Sequence, residues 1–346
     1  MNRETLRGQI QTVNGLIAPS ELGPTLMHEH LICDIRTPAL KGCDCHFEEI
    51  ALENLWAIHQ GECAHGPKYQ LDMPEIIVDE VAAMKAQGGS AIVELSNGGL
   101  SPAPSQLQSI SQRTDVHVVM GCGHYVEEYQ APANHDRSVD DFAEEMTSQV
   151  FTGAWGTDVR AGIIGEIGCQ APWTELEKRV MQGAFLAQAE TGAALSVHPG
   201  RDPDQPQQIA DFARAHGAIT ERTIISHVDR TVFDDDRLLR LADSGCVIEF
   251  DLFGLESSYY SLDLKVDMPN DATRLRLIRM LIDHGHLDRV VISHDICYRT
   301  RLTKFGGHGY GHIFRNIIPM MRRRGYEEVE IDALIVANPR RLLTFI

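Results

Sequence analysis

Short apolar runs alternate with longer segments of helical apolar spacing along most of this chain of 346 residues. Eight runs predict β-strands, most of them ending on Gly, Ser, Asp or His: residues 25–30, 91–96, 116–121, 162–168, 194–198, 223–227, 247–251 and 290–295. Helical spacing between them predicts helices over residues 74–86, 138–151, 174–191, 235–243 and 273–284. Eight strands that alternate with helices favour a closed (β/α)8 TIM barrel, an α/β fold.

The N-terminal segment predicts a short β-hairpin ahead of this barrel. Residues 9–13 and 16–17 flank Asn14-Gly15, a pair that favours a tight hairpin turn. We find no internal repeat and no linker, so we expect one domain over residues 1–346, with 1–24 as hairpin and lead-in. Three connections, residues 33–73, 254–271 and 296–311, are longer than a barrel needs, and long loops on a rigid scaffold often bind ligands.

Composition limits the partners. The formal net charge of −18 argues against binding to nucleic acid or to an anionic membrane surface, but it leaves room for an anionic small molecule. No apolar run is long enough for a membrane span. The eight cysteines lack the spacing of a disulfide framework, which predicts a soluble, reduced, cytoplasmic protein. One close pair, Cys43 and Cys45, leaves a thiolate metal site open as an alternative.

Six residues that suit metal ions lie at predicted strand ends, which meet at one mouth of a barrel. They are His28, His30, Glu166, His198, His227 and Asp295. Any one alone is more often a buried hydrogen-bonding residue, and a chance H-x-H is expected about once in such a chain. Six groups on five strands instead favour two divalent cations about 3.5–4 Å apart, with a carboxylate between them.

Several neighbouring residues are assigned supporting roles. We expect His294 to point away from the metals, and Glu249 and Asp251 to form buried hydrogen bonds. Tyr125, after the third strand, either donates a hydrogen bond to a developing oxyanion or simply packs at the rim. Arg230, three residues after His227, is predicted to clamp an anionic substrate.

The alternative for Arg230 is pairing with acidic neighbours or with a second subunit, which leaves room for a homodimer. The segment after the eighth strand, residues 298–304, contributes three more cations to the same predicted rim.

The chain also resembles a known family, the phosphotriesterase-like branch of the amidohydrolase superfamily, and within it the phosphotriesterase-related proteins. The similarity covers nearly the whole sequence and is carried by "TLMHEHL", "GIIGEIG", "SVHPGR", "IISHVDR", "FDLFG", "ISHDI", "RTRLTKFGGHGYGHIF" and "NPRRLLTF". The resemblance implies that His28, His30 and Asp295 hold the more buried metal, that His198 and His227 hold the more exposed one, and that Glu166 bridges them.

Two departures from the family pattern affect the expected chemistry. Glu166 stands where phosphotriesterases proper carry a carbamylated lysine, so triesterase activity is a weak expectation. Residues 99–102, Gly-Leu-Ser-Pro, replace a "GRD" that many members carry after the second strand, which leaves the substrate contacts of that loop open.

The resemblance implies a metal-dependent hydrolase with zinc as the expected metal. A metal-activated hydroxide would attack a small amide, such as an N-acyl amino acid or N-acetyltaurine, and Asp295 would pass the proton to the leaving group. Hydrolysis of a lactone or phosphoester by the same centre is the alternative. A non-catalytic small-molecule-binding barrel is a further one, which the complete ligand set disfavours.

Overall fold

Eight parallel strands form two hydrogen-bonded arcs in a computed structural model that describes residues 1–44, 46–61, 65–257, 260 and 262–346. The first arc contains β1 (Thr25–Glu29), β2 (Ala91–Glu94) and β3 (His117–Met120). The second contains β4 (Ile164–Gly168), β5 (Leu195–His198), β6 (Thr223–Ile225), β7 (Val247–Phe250) and β8 (Val290–Ile292). All eight predicted strands are confirmed, with their ends shortened.

Backbone hydrogen bonds join the two arcs at both seams. Between β3 and β4, Gly162 N donates to Met120 O at 2.9 Å and Gly165 N donates to Cys122 O at 2.7 Å. Between β8 and β1, Asp295 N donates to His28 O at 3.0 Å. The strands therefore form a ring, as the predicted (β/α)8 barrel requires.

The strands are apolar on both faces because each face packs into a different core. One cluster combines alternate residues of most strands, namely Met27, Val93, Val119, Ile163, Ala194, Ile224, Val247 and Val291. The intervening strand residues, such as Leu26, Leu195 and Ile248, pack with helix residues in a second cluster. Burial on both sides explains the continuous apolar runs from which the strands were predicted.

Helices separate the strands. The α-helices of at least eight residues are α1 (Leu52–Gln60), α2 (Pro74–Ala86), α3 (Pro104–Thr114), α4 (Val139–Phe151), α5 (Glu175–Thr191), α6 (Gln205–Ala215), α7 (Asp235–Asp243) and α8 (Asp271–Asp283). Shorter α-helices cover Arg3–Leu6, Pro38–Lys41, Ile318–Arg323, Glu328–Asp332 and Asn338–Leu343, and π-helical turns cover Ile313–Ile317 and Ala333–Ala337.

The predicted helix starts are confirmed where a capping residue marks them. Ser138 and Thr174 cap α4 and α5, because their hydroxyl oxygens accept from the backbone N–H three residues later. Helices α2 and α7 have the predicted bounds. Helix α8 begins two residues earlier than predicted, since Asn270 caps it. Helices α3 and α6 were not predicted individually.

The predicted N-terminal hairpin is present, with its turn shifted by one residue. Strand Ile10–Thr12 pairs antiparallel with Gly15–Ile17, and Thr12 lies opposite Gly15. The turn is therefore Val13-Asn14 instead of the predicted Asn14-Gly15. Gly15 is the first residue of the second strand and has φ 116°, a conformation that favours glycine.

The cysteines depart from the prediction at one position. Five of them, Cys33, Cys122, Cys169, Cys246 and Cys297, are buried free thiols, but Cys43 is disulfide-bonded. The thiolate metal site considered at Cys43 and Cys45 is not available to a disulfide-bonded Cys43, and Cys45 lies outside the described residues. In the part of the chain that the structure describes, no helix is long and apolar enough to cross a bilayer.

A buried ion pair fixes helix α8 against the mouth of the barrel. Arg274 is completely buried and donates through Nε to Asp229 Oδ2 at 2.7 Å and through Nη1 to Asp271 Oδ1 at 2.9 Å. Asp229 Oδ2 also accepts from the Leu252 backbone N–H at 3.1 Å. The pair therefore connects the segments that follow β6 and β7 to the helix before β8.

Replacing Arg274 by Met should lower the free energy of unfolding by about 3–5 kcal/mol, because the buried carboxylate of Asp229 loses its cation and that of Asp271 keeps only His312. The matched control is Arg276→Met in the same helix, since the Arg276–Asp235 pair is half exposed and should contribute less than about 1 kcal/mol. Urea denaturation measures both values. Equal losses in the two variants would show that the buried pair adds nothing beyond a surface pair.

Candidate metal centre

His28 on β1 and His30, the residue that follows this strand, face two carboxylates from the ends of other strands. His30 Nε2 lies 3.2 Å from Asp295 Oδ1 and 3.5 Å from Glu166 Oε1. His28 Nε2 lies 3.4 Å from Glu166 Oε2 and 3.9 Å from Asp295 Oδ1. His28, His30 and Asp295 form the first half of a cluster that meets Glu166, and all four side chains are buried or nearly so.

The second half of the cluster consists of His198 at the end of β5 and His227, which lies two residues after β6. His198 Nδ1 lies 2.8 Å from Glu166 Oε2 and 2.7 Å from His227 Nε2. His227 Nε2 is also 3.4 Å from Glu166 Oε2. Glu166 therefore contacts both halves, and the structure brings all six predicted side chains together.

The local backbone conformation directs two of the six residues, His227 and Asp295, toward the mouth of the barrel. His227 and Asp295 have φ values of 56° and 51°, in the left-handed region that residues other than glycine seldom adopt. Such strain is common at functional sites. Gly165, next to Glu166, has φ 117°, and a Cβ there would collide with the backbone oxygen of Ser196, so a glycine lets β4 lie close to β5.

Strand β7 provides carboxylates that orient two of the histidines. Glu249 Oε2 lies 3.1 Å from His28 Nδ1, and Asp251 Oδ1 lies 2.8 Å from His227 Nδ1. Asp251 Oδ2 also accepts from the His227 backbone N–H. When each Nδ1–H donates to its carboxylate, each Nε2 keeps a lone pair directed at the cluster. The predicted hydrogen-bonding role of Glu249 and Asp251 agrees with these contacts.

His30 is oriented by two residues that we did not predict, Ser96 and Glu94. His30 Nδ1 lies 3.0 Å from Ser96 Oγ, and the Ser96 hydroxyl donates to Glu94. Glu94 ends β2 and Ser96 lies two residues later, and this spacing of polar residues at a strand end is the signal that would have found them. His294, by contrast, contacts Glu29 at 2.7 Å outside the cluster, as expected.

The carboxylates of the cluster are held in the ionised form. Burial disfavours the charge of Glu166, but the neighbouring His198 and His28 outweigh it and hold its pKa well below the usual range. Burial likewise opposes ionisation of Asp295, yet its hydrogen bond with His30 and the proximity of His28 lower its pKa to about 2. Both carboxylates are therefore anionic groups that lie away from bulk solvent.

These residues fit divalent cations. His28 Nε2 is buried and has no hydrogen-bond partner among the described residues, although its ring is fixed by Glu249. An orphaned, oriented nitrogen in a protein interior is costly unless something binds it. Imidazole nitrogens combined with carboxylates suit borderline ions such as zinc.

Tyr125 and Arg230, which were predicted to act on the substrate, both lie next to His198. The Tyr125 hydroxyl is 3.3 Å from His198 Nε2. Arg230 is 2% exposed and donates through Nη2 to Pro199 O at 2.9 Å and through Nη1 to the Thr231 hydroxyl at 3.2 Å. Its guanidinium is therefore engaged by the protein and holds the turn that follows β5.

A cavity of about 1170 Å³ opens beside the cluster. Its wall includes His198, Tyr125, Tyr69, Tyr129 and Arg201. Arg230, which was predicted to clamp the anion, does not line this cavity among the residues that the structure describes. Arg201 is a functional candidate that the sequence reasoning missed, although it stands at the end of the motif "SVHPGR".

Residues 8–343 match the phosphotriesterase family. The chain is 40% identical over 346 residues to a phosphotriesterase-related protein of Nematostella vectensis, with 98% of this chain and 99% of that one covered. It is 40% identical over 347 residues to the N-acetyltaurine hydrolase of Homo sapiens, with 99% of each chain covered.

Among solved structures, a resiniferatoxin-binding protein from Rhodobacter sphaeroides superposes with a TM-score of 0.91 at 34% identity, covering 98% of this chain and 96% of that one. The similarity thus extends over the barrel and over every strand that contributes to the cluster. The chain belongs to the phosphotriesterase family and is a metal-dependent hydrolase.

Proposed function

We propose that this protein hydrolyses the amide bond of a small N-acyl compound with an anionic tail, and that N-acetyltaurine is the leading candidate. The observation that carries the proposal is the contact of Glu166 with both halves of the cluster, beside a cavity that His198 lines. Identity of 40% over the full length to an N-acetyltaurine hydrolase supports the choice of substrate.

The six clustered residues would hold two divalent ions. We propose that His28, His30 and Asp295 bind one ion, that His198 and His227 bind the other, and that Glu166 contacts both. When bound, such ions lower the pKa of a water molecule and polarise the substrate carbonyl. We propose zinc as the metal, because imidazole and carboxylate donors suit it.

Asp295 is the group that we propose moves the proton. Amide hydrolysis adds the oxygen of water to the carbonyl carbon, breaks the C–N bond and delivers a proton to the leaving nitrogen. The Asp295 side chain is 14% exposed, whereas that of Glu166 is 3% exposed, so Asp295 is the carboxylate that substrate can reach. Its low pKa keeps it ionised, so that a carboxylate oxygen is available to take the proton of water and pass it on.

Tyr125 is proposed to donate a hydrogen bond to the substrate oxygen. Burial, together with the nearby charge of Glu166, raises the pKa of this phenol well above its usual value, so the hydroxyl keeps its proton. The hydroxyl lies on the cavity wall beside His198, where charge would develop on the carbonyl oxygen. Arg230 acts indirectly in this proposal, because it fixes the turn next to His198.

Other sequence-based expectations remain part of the proposal. A cytoplasmic location is favoured by the five free thiols and opposed by the disulfide at Cys43. A homodimer, one domain over residues 1–346 and the absence of nucleic-acid partners remain predictions as well, the last supported by the net charge of −18.

A substrate panel tests the activity. Protein loaded with zinc or manganese should release taurine from N-acetyltaurine, and the amine half from N-acetyl amino acids, faster than it opens lactones or cleaves phosphoesters. Product formation is measured by liquid chromatography with mass detection. Preferential lactone or phosphoester turnover would replace the amide proposal, and metal-loaded protein without any turnover would favour a binding barrel.

The role of Glu166 is tested by metal content. Purified protein should hold about two divalent ions per chain, and Glu166→Gln should lose one or both, because the substitution removes the charge that both halves share. Glu145→Gln is the matched control, since Glu145 also contacts a histidine, His124, at 2.9 Å but lies outside the cluster. Elemental analysis of both variants decides, and an unchanged metal content in Glu166→Gln would make Glu166 a structural carboxylate.

The orienting role of Asp251 predicts a graded effect. Asp251→Asn should weaken metal affinity about 10- to 100-fold, because the neutral amide holds His227 Nδ1–H less strongly than the carboxylate does. Competition with a chelator measures the affinity, and circular dichroism checks the fold. Asp211→Asn, a change at an exposed aspartate, should leave the affinity unchanged. A similar loss in both variants would contradict the orienting role.

A further inference from the structure

We propose that Arg201 is the anion-binding residue of the cavity and that it selects substrates with a sulfonate or carboxylate on the amine half. This inference rests on the proposed amide hydrolysis, and it assigns to Arg201 the role that the sequence suggested for Arg230.

The position of Arg201 places it beside the cluster. It follows the metal-site residue His198 by three positions, is half-buried, and lines the same cavity as His198 and Tyr125. Its Nε is buried without a hydrogen-bond partner among the described residues. Within that part of the chain, no carboxylate forms an ion pair with Arg201 within 4.0 Å, in contrast to the buried pair of Arg274. Arg201 thus has donor capacity left for a ligand.

Aromatic residues surround this guanidinium. Its central carbon lies 5.3 Å from the centre of the Tyr260 ring, close enough for a cation–π contact. Burial opposes the charge of Arg201, but the proximity of Tyr260, a hydrogen bond with the Tyr260 side chain and the proximity of Tyr125 outweigh it and raise the pKa further. Apart from the donor that it uses at Tyr260, the guanidinium retains in-plane N–H groups, the Nε–H among them, which match the oxygens of a carboxylate or sulfonate.

The turn that carries Arg201 is fixed before any substrate arrives. Arg230 donates to Pro199 O, the Gly200 backbone N–H donates to the Gln205 side chain, and Gln205 donates in turn to Gln170 O. A Cβ at position 200 would collide with the backbone N of Ala171. Because the turn is already ordered, binding an anion at Arg201 requires little further loss of conformational entropy.

The other charges of the cavity favour Arg201 over competing positions. Among the described residues of the wall, Lys265 is the other permanent cation, and it is exposed to solvent, where its attraction for an anion is screened. Glu128, Asp202 and Asp263 also line the cavity and repel an anion. A substrate with one negative group is therefore most stable with that group at Arg201.

The test compares two substrates that differ in one group. N-acetyltaurine carries a sulfonate, and N-ethylacetamide has the same amide with a neutral ethyl group instead. Arg201→Gln should lower kcat/KM for N-acetyltaurine about 10- to 100-fold, mainly through KM, because one charged hydrogen-bonding group is lost. It should leave N-ethylacetamide turnover and metal content unchanged. Arg201→Lys should restore part of the lost activity, since it returns the charge without the planar fork.

A binding measurement and a matched variant complete the test. Ethanesulfonate binding to metal-loaded protein, followed by ligand-observed NMR, should weaken in Arg201→Gln and stay unchanged in Lys265→Gln. Equal weakening in both variants, or an equal loss of activity on the neutral amide, overturns the assignment. If wild-type protein hydrolyses no amide, the proposed function fails, while ethanesulfonate binding still decides whether Arg201 is the anion site.

Discussion

The buried charge of Glu166 is the constraint on which the rest of the centre depends. A carboxylate removed from water is expensive unless opposite charge or donors surround it. Glu166 is 2% exposed and meets imidazoles from three other strand ends. Only a closed ring of strands can bring those imidazoles together, because they come from opposite sides of the barrel. The barrel must therefore close for the charge of Glu166 to be neutralised.

Strand β7 shows that residues outside the cluster set its chemistry. Glu249 on β7 and Asp251 directly after it contact the Nδ1 atoms of two of the four clustered histidines and fix those rings. A free imidazole can turn either nitrogen inward, and the carboxylates remove that freedom. The same logic applies to His30 through Ser96. The orientation of these three histidine rings is thus fixed by residues outside the cluster.

The sequence predicted the elements and the cluster well because both depend on local patterns. Apolar periodicity located all eight strands, and Ser138 and Thr174 located two helix starts. The six clustered residues followed from their place at strand ends. The left-handed backbone at His227 and Asp295 was not predictable, because neither residue is a glycine. The hairpin turn was misplaced by one residue for a related reason, since Gly15 takes its positive φ inside the strand instead of in the turn.

Arg201 and Arg230 show what the spacing of residues along the sequence cannot predict. Arg201 and Arg230 each follow a clustered histidine by three residues. After His227 the chain winds into the short 3-10 helix Val228–Arg230, and Arg230 becomes buried. After His198 the chain passes through Pro199 and Gly200, and Arg201 reaches the cavity. Spacing alone is identical in the two cases, so only the backbone conformation distinguishes them.

The turn after β5 limits how the substrate selectivity of this enzyme can evolve. Arg230 holds a short stretch of backbone that presents a histidine of the cluster at one end and a cavity arginine at the other. Insertions or substitutions that would widen the range of accepted molecules by reshaping this stretch would also displace the histidine. Divergence of selectivity is therefore easier in residues 262–265, which border the same cavity, than in the loop after β3, whose Tyr125 contacts His198. A laboratory library aimed at new substrates would do best to vary residues 262–265 and keep Tyr125 and residues 198–201 fixed.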